Sequence, residues 1–172
     1  METTIDYNGE GAWSAAEIVR RYHVYAKRFG IAKPLVIQPA QHSEGDRRWV
    51  YPVMHEVIIG IETGDLACAQ LGIEFIEQDQ GFPFGSLIKS STARSLRRFP
   101  NLTREQIDRI RSRIVFMLRR GAVPREYREY ARLLRAVGVG PHWSDIEKAV
   151  PANRYAARAK AYFLQHCRII EP

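Results

Sequence analysis

Apolar residues recur along most of the chain at three- and four-residue steps, the spacing that puts them on one face of an α-helix. The stretch from Thr103 to Val137 shows this most clearly. Ile107, Ile110, Ile114, Met117 and Leu118 share a face; Thr103 and Gln106 form a capping box that starts it, with Leu102 and Ile107 placed as a hydrophobic staple, and Gly121 stops it. Pro124 suits the first turn of a second helix, in which Tyr127, Tyr130, Ala131, Leu134 and Val137 repeat the spacing before Gly138. So short a connection predicts an antiparallel hairpin.

The same grammar extends to the rest of the chain. Residues 1–12 read as a polar N-terminal tail. Ser14 and Glu17 form a second capping box, and Ile18, Tyr22, Tyr25, Ala26 and Phe29 make the buried face of a first helix that Gly30 ends. Residues 31–51 read as an extended arm packed on the helices: Pro34 and Pro39 bracket Leu35, Val36 and Ile37, which makes a poor central strand, with a short edge strand as the alternative. Pro52 opens a second helix whose Val53, Val57, Ile58 and Ile61 suggest a central, well-buried element. Gly64 ends it, and Asp65 caps a third that runs to about Gln78 with Leu66, Ala69, Ile73 and Ile76 inward. A rigid loop, Gly81 to Gly85, presents Phe82 and Phe84 as a core plug or as anchors for a partner. Ser86 caps a fourth helix through Phe99, with Ile88, Thr92, Leu96 and Phe99 on its apolar side. Ser144 and Glu147 give a third box, and Pro151 restarts the chain into a last helix whose Tyr155, Ala159, Tyr162, Phe163 and His166 face the body of the protein. Residues 168–172 are left as a C-terminal tail.

No segment alternates as a strand should, so the fold class is all-α: a single domain, 1–172, built as an irregular bundle of about seven helices from antiparallel hairpins. Stacked hairpins of this size also resemble HEAT-like or armadillo-like α-solenoids, although no residue template repeats at fixed spacing between Pro52–Phe99 and Thr103–Val137.

Composition agrees with a globular domain. Of 172 residues, 45% are hydrophobic and 26% charged, outside the range of disordered or collagen-like chains. Cys68 and Cys167 lie far apart, which makes a disulfide framework unexpected. The N-terminus lacks a secretory pattern and no apolar run is long enough for a membrane span, so the expected compartment is the cytoplasm.

Charge changes the picture more. Lys89 to Arg135 holds fourteen Lys and Arg against Glu105, Asp108, Glu126 and Glu129, a balance of +10, so the rest of the chain sums to −3. Arg125, Arg128, Arg132 and Arg135 fall at i, i+3, i+7 and i+10 and share a helix face opposite the Tyr/Leu stripe. That face reads either as a surface for phosphates or acidic side chains, or as a solvated face on which Glu129 pairs with Arg132. Arg94, Arg97 and Arg98 add to the basic segment, and Phe116 sits on the wheel beside Arg109, Arg113 and Arg120, where it could stack on a base.

The segment IKSSTARSLRR, Ile88 to Arg98, resembles the recognition helix of helix-turn-helix repressors, with small hydroxyls early and arginines late; the resemblance implies base reading in a DNA major groove. It departs from that family at Asp79 to Gly85, a seven-residue, proline-containing connection in place of a tight turn.

Motifs for chemistry are absent. His55-Glu56 begins like a zincin, but Ile59 stands where the second histidine belongs. His23, His42, His55, His142 and His166 are scattered singly, so no metal or other cofactor is implied. The expected function is a non-catalytic helical interaction module that presents the basic face of helices within 86–137 to an acidic protein or to the phosphate backbone of a nucleic acid. The alternative is a helical enzyme or small-ligand protein with an inter-helix pocket near His55, Cys68 or His166.

Overall fold

The computed structural model of the chain describes residues 3–79, 81 and 83–167. Within the span expected as one domain it forms two compact units, Met1–Asn101 and Leu102–Pro172. The fold is mostly helical, as expected, with eight α-helices and one small three-stranded sheet among the described residues. No described helix is long and apolar enough to cross a membrane.

The first unit holds α1 (Ala15–Arg28), α2 (Met54–Glu62), α3 (Leu66–Gln78) and α4 (Gly85–Arg98), with α1, α2 and α4 all packed on α3. The expectation that α2 is the central helix is therefore corrected. Every residue of α3 from Ala67 to Ile76 is buried, whereas Ile59 on α2 is 52% exposed. Small side chains are the cause: Ala67, Cys68, Ala69 and Gly72 let neighbours approach α3 from several sides.

Two glycines mark the closest approaches. A Cβ on Gly72 would stand 2.8 Å from Ile61 and 2.9 Å from Thr92, and one on Gly60 would stand 2.3 Å from the Cys68 sulfur. Alanine ordinarily stabilises a helix interior relative to glycine. Here the clash reverses the sign, and Gly60→Ala is expected to cost about 1–3 kcal/mol through overpacking. Urea unfolding of Gly60→Ala, with Cys68→Ala alone and combined, checks this: a variant as stable as the parent, or no coupling between the two sites, would refute the contact.

Capping follows the sequence in part. Asp65 accepts from the Cys68 N–H at 2.9 Å to start α3, and Gly64 takes φ +91° before it. Ser14 accepts from the Glu17 N–H, but the Glu17 carboxylate turns to Arg20 and does not complete the box. Hydrogen bonds from Arg20 hold the Glu17 carboxyl below its usual range. Helix α4 begins at Gly85, after Phe84 in the left-handed conformation, so Ser86 lies inside the first turn and is not its cap.

The sheet is the larger correction. Strand β1 (Thr3–Asp6) lies where a tail was expected, and β2 (Gln41–Glu44) and β3 (Arg47–Val50) lie in the polar half of the expected arm. Their order is β1-β3-β2, with β1 parallel to β3 from Thr3 opposite Arg47, and β2 joined to β3 by a two-residue hairpin at Gly45-Asp46. Mostly exposed, polar strands show no period-two alternation, and pairing between residues 3–6 and 47–50 leaves no local trace. Of Leu35, Val36 and Ile37 only Ile37 is buried. Asn8, just after β1, donates to the Tyr51 carbonyl and accepts from the Val53 N–H at 2.8 Å, supplying from a distance the cap that α2 lacks locally.

The second unit holds α5 (Arg104–Arg120), α6 (Tyr127–Val137), α7 (Trp143–Lys148) and α8 (Arg154–His166). Both halves of the Thr103–Gln106 capping box form, and Gly121 ends α5 with φ +69°. The third box does not form: α7 starts at Trp143 without a side-chain cap, which puts Ser144 within its first turn. Asn153 caps α8 and also donates to the Gly121 carbonyl at 2.9 Å. The buried face of α8 is Ala156, Ala159 and Phe163, while Tyr155 and His166, expected inside, are exposed. The expected tail at 168–172 lies outside the described residues.

Candidate functional site

Within the first unit, α2 and α4 border an open groove of about 300 Å³. From α2 come His55, Ile58, Ile59 and Glu62; from α4 come Ser91, Arg94, Ser95 and Arg98. Both sets have the spacing i, i+3, i+4, i+7, so each helix offers one continuous stripe to the same space. The lining thus combines two isoleucines with polar and charged side chains.

Two arginines outweigh one carboxylate there. Glu62 accepts from the Ser95 hydroxyl at 3.0 Å, and Arg94 donates to the Ser91 hydroxyl at 3.0 Å. Among the described residues Arg94 and Arg98 make no ion pair, so their charge is available to an incoming anion. Chemically the groove can hold an anionic group beside apolar surface.

Arg97 points elsewhere and is half-buried. Of the hydroxyls in the helix-turn-helix resemblance, Thr92 is buried and donates to the Ile88 carbonyl, Ser91 accepts from Arg94, and Ser95 donates to Glu62. Buried Lys89 pairs with Asp79.

In the second unit Arg125 precedes α6 and the other three arginines lie on it. Arg125, Arg128 and Arg135 are exposed and, among the described residues, without an ion-pair partner. Arg132 donates to Glu129 at 2.7 Å, the pairing expected from the sequence. Phe116 is 54% exposed with the Arg113 guanidinium 6.0 Å from its ring centre. Phe84 is also half exposed and meets the Tyr7 ring edge-on at 5.5 Å. Phe82 lies outside the described residues.

The residues of the alternative reading are divided between the two units, His55 and Cys68 in the first and His166 in the second. His55 lines the groove, but Cys68 is fully buried in α3, and burial pushes its thiol far above the ordinary range, which keeps it un-ionised and inert. His166 lies on the surface of the second unit against Tyr162, ring centres 4.7 Å apart. No group of three His, Cys, Asp or Glu among the described residues could hold a metal ion.

Sequence reasoning named His55, Arg94 and Arg98 separately and missed Glu62, Ser91 and Ser95. The repeated stripe spacing was a usable signal for all of them. Compared with known protein families, curated proteins and solved structures, the chain matches none.

Proposed function

We propose that the protein is a helical interaction module whose arginine surfaces bind the phosphates of a nucleic acid. The observation that carries this reading is the α2/α4 groove, which Arg94, Arg98 and His55 line together with the apolar Ile58 and Ile59. Such a site takes a phosphate on its arginines and the sugar or base beside it on the apolar side chains. The exposed Arg125, Arg128 and Arg135 supply a second cationic surface, in the other unit. Their charges are solvated and so contribute mainly through counterion release and association rate.

Fluorescence anisotropy with a labelled single-stranded RNA and a labelled duplex DNA at several salt concentrations tests the proposal. Affinity is expected to fall with salt, and Arg94→Ala with Arg98→Ala to reduce the log–log slope by about 1.4–1.8 at about 0.7–0.9 per phosphate contact. Absence of binding at low salt, or an unchanged slope in the double variant, sinks the reading. Arginine-dependent binding of polyglutamate in place of nucleic acid would instead assign the surface to an acidic protein.

A further inference from the structure

A separate cluster on the second unit joins three residues that no motif connects. The Ser112 hydroxyl on α5 stands 3.4 Å from Nε2 of His142, and Nδ1 of the same ring stands 3.1 Å from Oδ2 of Asp145 on α7. A carboxylate has no proton to give, so the contact with Asp145 requires the proton on Nδ1, and in the neutral ring Nε2 then faces the serine hydroxyl with its lone pair. This is the connectivity by which a histidine activates a serine.

The placement of His142 is built into the fold. Arg111, beside Ser112 in sequence, donates from Nε to the Gly138 carbonyl at 2.7 Å and from Nη2 to the Val137 carbonyl at 2.8 Å. The following turn, Gly140–His142, passes over that guanidinium so closely that a Cβ on Gly140 would meet Nη1 at 2.8 Å. Arg111 thus clamps the segment that carries the imidazole over the next residue of its own helix. Ser112 is exposed and open to a reagent, and Arg119 lies 3.9 Å from Asp145.

We propose that Ser112 is an activated nucleophile that accepts an acyl group from an activated ester. Its Oγ bonds to the acyl carbon, the bond from that carbon to the leaving oxygen breaks, and the hydroxyl proton passes to Nε2 and then to the leaving oxygen. No redox change or co-reactant is involved. Because Ser112 lies mid-helix, the neighbouring backbone N–H groups are committed to the helix and offer no oxyanion hole. The electrophile must therefore carry a good leaving group, and the acyl-serine persists.

The test is incubation of the full chain with p-nitrophenyl acetate, followed by intact mass and peptide mapping. One acetyl group on the peptide holding Ser112 is expected, absent in Ser112→Ala and formed about 100-fold more slowly in His142→Ala. Asp145→Asn, which keeps the shape and removes the charge, is also expected to slow it, so that a misfolded His142 variant cannot mimic the result. Acetyl on lysine or histidine only, no acetylation, or a Ser112 rate unchanged in both His142→Ala and Asp145→Asn would overturn the proposal.

Discussion

Replacing Glu74 by alanine is expected to cost about 3–5 kcal/mol of stability, because it strands a buried guanidinium. Glu74 is 8% exposed on α3 and accepts from Arg21 at 2.9 Å, Tyr25 at 2.6 Å and Gln70 at 3.1 Å. Arg21 is equally enclosed, its side chain 12% exposed and its guanidinium 4.5 Å above the Trp13 ring. Taking away the carboxylate leaves that charge without its counter-ion and removes the oxygens to which Tyr25 and Gln70 donate. Glu74→Gln, which keeps one acceptor oxygen, is expected to lose less. Arg21→Met combined with Glu74→Leu should recover most of the loss, since an apolar pair of similar size needs no desolvation. Urea unfolding followed by circular dichroism measures all three. A Glu74→Ala loss below about 1 kcal/mol, the level of an exposed pair, would show that the network is wet.

The second large effect belongs to Phe163. Ala156, Ala159 and Phe163 are the buried residues of α8, and the phenylalanine is by far the largest of the three. It is fully enclosed, with the Tyr127 ring 6.4 Å away edge-on, and Tyr127 donates to the Ile114 carbonyl at 2.8 Å. Phe163→Ala is expected to cost about 3–5 kcal/mol from lost transfer energy and the cavity left behind. Hydrogen exchange should report the change first in α8, since the two remaining alanines bury little area. Phe163→Leu, which refills part of the space, should retain about half of the stability at risk. Equal protection of α8 in parent and alanine variant would disprove this account of its docking.

Both sites show why local pattern captured the elements better than their arrangement. The Thr103–Gln106 box and the Asp65 cap involve atoms three residues apart, so residue identity at fixed spacing was sufficient to read them. Gly45-Asp46 was equally local and marks a two-residue hairpin, yet the polar, proline-flanked context hid the strands around it. The buried face of α8, Ala156, Ala159 and Phe163, differed from its aromatic stripe, because which face packs is chosen by helices distant in sequence. For the groove, the stripes at 55, 58, 59, 62 and 91, 94, 95, 98 were legible, but nothing local says that they face each other.

What the chain determines by itself is the helical class, most helix starts and stops, and the concentration of positive charge between Lys89 and Arg135. Hydrogen-bond geometry within one turn and summed charge need no partner from elsewhere in the chain. Tertiary structure alone decided that small-residue α3 is the centre of its unit, that β1 pairs with β3, and that His142 stands between Ser112 and Asp145. Each of those depends on which surfaces pack together, and packing is selected by the fit of many distant side chains at once.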